Sequence, residues 1–222
     1  MRKVQLANCH YYHIFNRGVE KRNIFMDEKD YRRFFSSLIL MNDEKDGLMI
    51  AWRNYKYSHP NISPEEFLRL SLRKRKKLVN IISYCLNPNH YHFILEQVID
   101  RGIEKFMHRI ATGYTRYFND KYHRSGSLFQ GVFKAYQIKS NGQLLRMSVY
   151  VNCNSEIHKI NRAYNYKWCG FYEYLGKTKG QLCDAKIIGE HFKSREDYKK
   201  YAKENIEDFR EIKAYEKAAL LE

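Results

Sequence analysis

The chain has 222 residues, 44% of them hydrophobic, which is enough for one sizeable core. Forty Lys and Arg against 25 Asp and Glu give a net charge of +15 and a pI near 9.5, an excess that favours a polyanionic partner because neutralising phosphates releases condensed counterions. No apolar run approaches the roughly 20 residues of a membrane helix, the N-terminus lacks the h-region of a signal peptide, and five scattered cysteines form no C-x-x-C pair, which argues against membrane spans, secretion and a zinc ribbon and makes the cytoplasm the expected location.

In chain order, "CHYYHIFNRG" reads as a first strand stopped by Asn16-Arg17-Gly18. Asp27 is a good N-cap for a helix through "EKDYRRFFSSLILMN", with Phe34, Leu38 and Met41 on its apolar side. The segment from 43 to 62 is polar and is expected to be irregular. Ser63-Pro64-Glu65-Glu66 forms a capping box with Pro at the first helical position, and the helix it opens is expected to end in the basic run 72–77, where a phosphate backbone could lie. "LVNIISYCL" is near-continuously apolar, the pattern of a central strand covered on both faces. After the turn Asn87-Pro88-Asn89, "HYHFILEQ" returns as its hairpin partner, with His90, His92 and Ile94 on one face and Tyr91, Phe93 and Leu95 on the other. Asp100 is the expected cap of a long helix to about residue 120. "VFKAYQIK" reads as a further strand, and Ser140-Asn141-Gly142-Gln143 opens a helix across "LLRMSVYVNCN". From about 160 the chain turns to loops and a charged helical tail. The order implies an α+β fold with a mainly antiparallel sheet and packed helices: residues 1–160 as the main domain, with a basic helical insertion at about 43–78, and 161–222 as a C-terminal extension.

Two imidazoles on one strand face are half of a divalent-metal site. On the helix opened by Ser140, Tyr150 and Asn154 stand four residues apart and so share a face. If that helix packs on the histidine face, Asn154 adds an oxygen. Two nitrogens and one oxygen with open positions suit Mg²⁺ or Mn²⁺ acting on phosphate better than a closed structural zinc.

"YCLNPNHYHFIL" resembles the metal-binding signature of the HUH single-tyrosine transposases, most closely the REP-associated tyrosine transposase group. "HIFNRGVEKRNIFMDEKDY", "MHRIATGYTRYFNDKYHRSGSLFQGVFKA" and "YVNCNSEIH" are similar to further blocks of that group, and the resemblance spans about residues 9–205. It implies a ferredoxin-like, RRM-like core, metal held by His90, His92 and Asn154, and Tyr150 as nucleophile. The resemblance also implies cleavage and rejoining of single-stranded DNA through a 5′-phosphotyrosine. Asn16, Arg17, Arg124, Gln130 and Lys134 fall in its matching motifs as DNA contacts. Ser155 and Asn152 stand where the family usually has Pro and often has His, so Tyr114 and Tyr117 remain rival tyrosines. The expected partner is hairpin-forming single-stranded DNA at the nucleoid, with no membrane, bound by a monomer or homodimer. Two other readings stay open: a non-catalytic hairpin-binding protein on the same scaffold, and an HUH relaxase or replication initiator.

Overall fold

The computed structural model describes residues 5–72, 74–178 and 182–219. Four strands, β1 (Tyr11–Arg17), β2 (Val79–Asn87), β3 (His90–Gln97) and β4 (Lys134–Ile138), form an antiparallel sheet in the order β2-β3-β1-β4. The α+β expectation holds. Register follows side-chain alternation: Phe15 of β1 lies opposite His92 of β3, and Ile14 opposite Phe93. One sheet face therefore presents Tyr12, Ile14, Tyr91 and Phe93, and the other His13, Phe15, His90 and His92.

The apolar face is covered by α1 (Glu28–Leu40) and α4 (Gly102–Lys121). Phe34 of α1 stacks at 6.5 Å on Phe93, and edge-on at 4.9 Å against Tyr114 of α4. Asp27 caps α1 as expected, its carboxylate accepting from Asp30 N. Asp100 does not cap α4. The N-cap is Arg101 in the left-handed region (φ 55°), and Gln97 Oε1 accepts from Ile103 N instead.

The insertion is more ordered than its composition suggests. Within the stretch expected to be irregular lies α2 (Leu48–Ser58), entered through Gly47 at φ 77°. Only Leu48 and Met49 are buried on it, so no long periodic stripe announces the helix. The next helix, α3 (Pro64–Ser71), is capped by Ser63 Oγ accepting from Glu66 N at 3.1 Å. Phe67 and Leu68 join Ile39, Leu40, Leu48 and Met49 in a small second core. The basic run is not helical, because the chain is extended from Leu72. Arg73 lies outside the described residues. Arg75 donates to Ile39 O and Asn42 O, and Lys76 stands 3.3 Å from Glu44. Arg75 thus ties the run to the end of α1, whereas the Lys76 side chain stays 67% exposed.

β2 is an edge strand, not a central one. It is buried because the chain after residue 160 closes its free edge: Leu86 N donates to Trp168 O at 2.9 Å, Gly170 N to Tyr84 O at 2.8 Å and Asp184 N to Ile81 O at 2.7 Å. The same segment carries α7 (Phe171–Tyr174) and α8 (Lys186–Gly189) and leads into α9 (Arg195–Ala219). Tyr166, Tyr174 and Tyr198 are buried in the main core.

Over the histidine face pack α5 (Asn141–Asn152) and α6 (Asn154–Ile157), mainly against β2 and β3. Ser140 caps α5 as expected. The single helix expected through Asn154 is broken at Cys153 (φ −104°, ψ 14°), so Tyr150 and Asn154 sit on two helices. The Tyr198 hydroxyl lies 3.1 Å from Ser148 Oγ and accepts from Asn152 Nδ2 at 3.0 Å, which fastens α9 to α5.

Candidate metal and nucleotidyl-transfer site

Strand alternation and the β2–β3 turn set the two histidines side by side, ring centroids 5.2 Å apart and nearly perpendicular. Their protonation can be read from their partners. Asn89 Nδ2 donates to Lys21 O, so its Oδ1 is free to accept, and it lies 2.6 Å from His90 Nδ1. His90 therefore carries its proton on Nδ1 and keeps a lone pair on Nε2. That lone pair faces another acceptor, Asn154 Oδ1, at 3.1 Å. Two acceptors that close repel unless a cation or a donor lies between them. Asn87 Nδ2 serves here, 2.9 Å from His90 Nε2 and 2.7 Å from Asn154 Oδ1. Cis ligands of an octahedral cation at ~2.1 Å lie about 3.0 Å apart, so the spacing suits a divalent ion. His92 Nδ1 is 2.8 Å from His13 Nε2; with Nδ1 donating, Nε2 is left free to ligate, as a metal-binding imidazole needs.

Burial holds His13 down to about 4, and burial together with His13 holds His92 well below the usual imidazole range. Burial also lowers His90, opposed by Asn154 Oδ1, which would accept from a protonated Nε2. All three are thus neutral at neutral pH, the form that ligates. Among the described residues no group of three or more His, Cys, Asp or Glu could hold a metal ion. The fitting donor set is two imidazoles and one amide oxygen.

Tyr150 stands against this set. Its partly exposed ring meets His92 edge-on at 5.7 Å and His13 at 5.8 Å, and packs on Phe209 of α9 at 5.1 Å. Lys213 Nζ lies 5.5 Å from the ring centroid and contacts His158 Nε2. The rival tyrosines are on the opposite sheet face: Tyr114 is buried and donates to Ile24 O, and Tyr117 donates to Asp30.

These groups open into a cleft of about 680 Å³. Asn16, Arg17, His90, His92, Gln130, Lys134 and Tyr150 all line it, whereas Asn154 lies fully buried behind them. Arg17 is exposed and donates to Gln130 Oε1. Asn16 is 7% exposed, its amide donating to Gly131 O and its oxygen accepting from Arg17 N, so it shapes the rim more than it offers a hand to a ligand. Arg124 is not in the cleft; it donates to Asn119 Oδ1 and lies over the Phe118 ring. Because α5 packs mainly on β2 and β3, β1 and β4 keep an open row of rings: Phe15 stacks on His92 at 5.4 Å and on Tyr136, 58% exposed, at 5.9 Å. Such a row can carry unpaired bases.

His13, Phe15, Asn87, His158 and Lys213 were not marked by the sequence pattern. His13 and Phe15 share the alternation phase of a strand whose partner the sequence does not name. Asn87 reads only as part of a turn. Nothing local marks His158 or Lys213.

The family of transposases described as IS200-like matches residues 49–154, from α2 to Asn154. No curated protein matches the chain. Among solved structures, a REP-associated tyrosine transposase bound to a REP hairpin superposes with a TM-score of 0.50, at 10% identity, over 83% of this chain and 93% of that one. At that identity the likeness speaks for the fold alone. No described helix is long and apolar enough to cross a membrane. Residues 49–154, which hold both histidines, Tyr150 and Asn154, are thus similar to the IS200-like transposases, and the fold resembles that of a REP-associated tyrosine transposase.

Proposed function

We propose that the protein cleaves and rejoins single-stranded DNA at hairpin-forming repeats, with Tyr150 as nucleophile and Mg²⁺ or Mn²⁺ held by His90, His92 and Asn154. The observation that carries the reading is a partly exposed phenol set edge-on against His92 inside a cationic cleft. A bound divalent cation would supply Lewis-acid polarisation of a phosphate oxygen. The chain does the rest. Arg17 and Lys134 neutralise flanking phosphates, while Phe15 and Tyr136 stack bases. Tyr150 Oη attacks phosphorus in line and loses its proton, the P–O3′ bond breaks, and the 3′-oxygen takes up a proton. The phosphotyrosine keeps the bond's free energy, so a 3′-hydroxyl can reverse the step without a nucleotide cofactor. A REP hairpin on the structural neighbour supports a hairpin substrate. Tyr150 reaches the histidines of its own chain, so the site needs no residue from a second copy, and both a monomer and a homodimer are compatible with the reading.

With a hairpin oligonucleotide and Mn²⁺, the protein is expected to form a covalent adduct that survives denaturing electrophoresis. Tyr150→Phe is expected to abolish it while hairpin binding persists. An adduct that remains in the variant, mapped to another tyrosine, overturns the assignment; binding without any adduct in the wild type returns the reading to a non-catalytic hairpin-binding protein.

A further inference from the structure

On the far side of the sheet from Tyr150, the helical layer carries cations that the cleft does not use. Along α4, Lys105, His108, Arg109, Thr112 and Arg116 recur at three- and four-residue spacings, one stripe of about 100° of arc. Beside it stand Arg53 of α2 and Arg33 of α1, and the three helices enclose a groove of about 470 Å³. Arg33 is largely desolvated: its guanidinium donates to Ser37 Oγ at 2.7 Å, contacts Met49 Sδ and lies over the Tyr117 ring. Burial, then the like charge of Arg53, depresses its pKa below the ordinary arginine range. Among the described residues none of Arg33, Arg53, Lys105 and Arg116 has a carboxylate in ion-pair range, and Asp46, paired with Arg109, is the one acid lining the groove. Cations gathered against one another without counter-charge are stabilised by an external anion.

Between the groove and the cleft lies a hollow lined by Arg101, Glu104, Lys105 and His108, which shares Asn16 with the cleft and His108 with the groove. The groove's lining holds no aromatic side chain, whereas the cleft has Phe15 and Tyr150. Unpaired strands bind on stacking platforms; a duplex offers a protein its phosphates. From Lys105 to Arg116 the stripe runs about 16 Å along the helix axis, the rise of about five base pairs.

We propose that the α1–α2–α4 groove and the α4 stripe hold the sugar–phosphate backbone of the paired stem of the DNA whose unpaired strand enters the cleft. The proposal rests on the DNA-cleaving reading above, and it gives α2 of the insertion a role in substrate binding.

The test compares the wild type with the double variant Arg53→Gln/Arg116→Gln, both positions exposed and outside the cleft. Binding to a stem-loop with a 5′ unpaired extension, and to the extension alone, is followed by fluorescence anisotropy across a salt series. For the stem-loop, the slope of log K against log salt is expected to become shallower by about two, with affinity falling by roughly tenfold or more at low salt; for the unpaired strand neither changes. An unchanged stem-loop slope, or an equal loss on both probes, overturns the proposal. A loss confined to an RNA stem-loop overturns the assignment to DNA. Mn²⁺-dependent adduct formation by the wild type on the unpaired strand is scored in parallel and decides the cleavage reading separately.

Discussion

Arg17 and Arg124 show how much a residue's neighbours decide. Both lie in basic, polar motifs and both read as DNA contacts. Arg17 is exposed at the cleft rim, and its neighbour Gln130 orients it. Arg124 bonds Asn119 and covers Phe118, finishing the end of α4. Arg17→Ala is expected to weaken hairpin binding and to reduce the salt slope by about one, whereas Arg124→Ala leaves the slope unchanged and lowers stability by about 1 kcal/mol. Equal salt slopes for wild type and Arg17→Ala would remove Arg17 from the interface. Of the candidate site, His90, His92, Asn154 and Tyr150 were legible in the residue pattern and the resemblance, and the fold brings them together, Asn154 behind the cleft and the other three in it. His13 and Asn87 were not, because each matters through a contact made across strands. His13 faces His92 from 79 positions away, and Asn87 reaches Asn154 from 67.

At the scale of elements, the junction of α1 with α4 turns on Asp30. It is fully buried and accepts from Met26 N, Tyr117 Oη, Tyr122 Oη and Lys121 Nζ. Asp30→Ala leaves Met26 N and the two tyrosine hydroxyls without this acceptor and Lys121 with Asp27 alone, and is expected to cost about 3–5 kcal/mol by urea denaturation. A loss below about 1 kcal/mol would mean that ring packing alone holds the junction. Helices with strong caps and broad apolar stripes, α1 and α5, were legible. The short α2 was not, because two buried residues make no stripe. The break at Cys153 was not either: Asn152, Cys153 and Asn154 are weak helix formers, but no Gly or Pro marks the stop.

For the molecule as a whole, the C-terminal segment is part of the core, not an appendage upon it. Gly170 shows how tightly it is laid along β2: a Cβ there would stand 2.5 Å from Asn152 Oδ1 and 2.9 Å from Cys183 Sγ. Gly170→Ala is expected to destabilise by about 1–3 kcal/mol and to raise aggregation, because lifting the segment bares a long apolar edge. An unchanged melting temperature and an unchanged monomer peak after heating would show that the segment yields at no cost. The sequence by itself determined the strands, the capped helices and the common face of His90 and His92, since these depend on periods of two to four residues. Only the tertiary structure decided that β2 lies at an edge, that His13 backs His92, and that Tyr150 and Asn154 meet the histidines from either side of a helix break. Strand order and register are settled between residues tens of positions apart, by which faces bury together, and no local pattern encodes that choice.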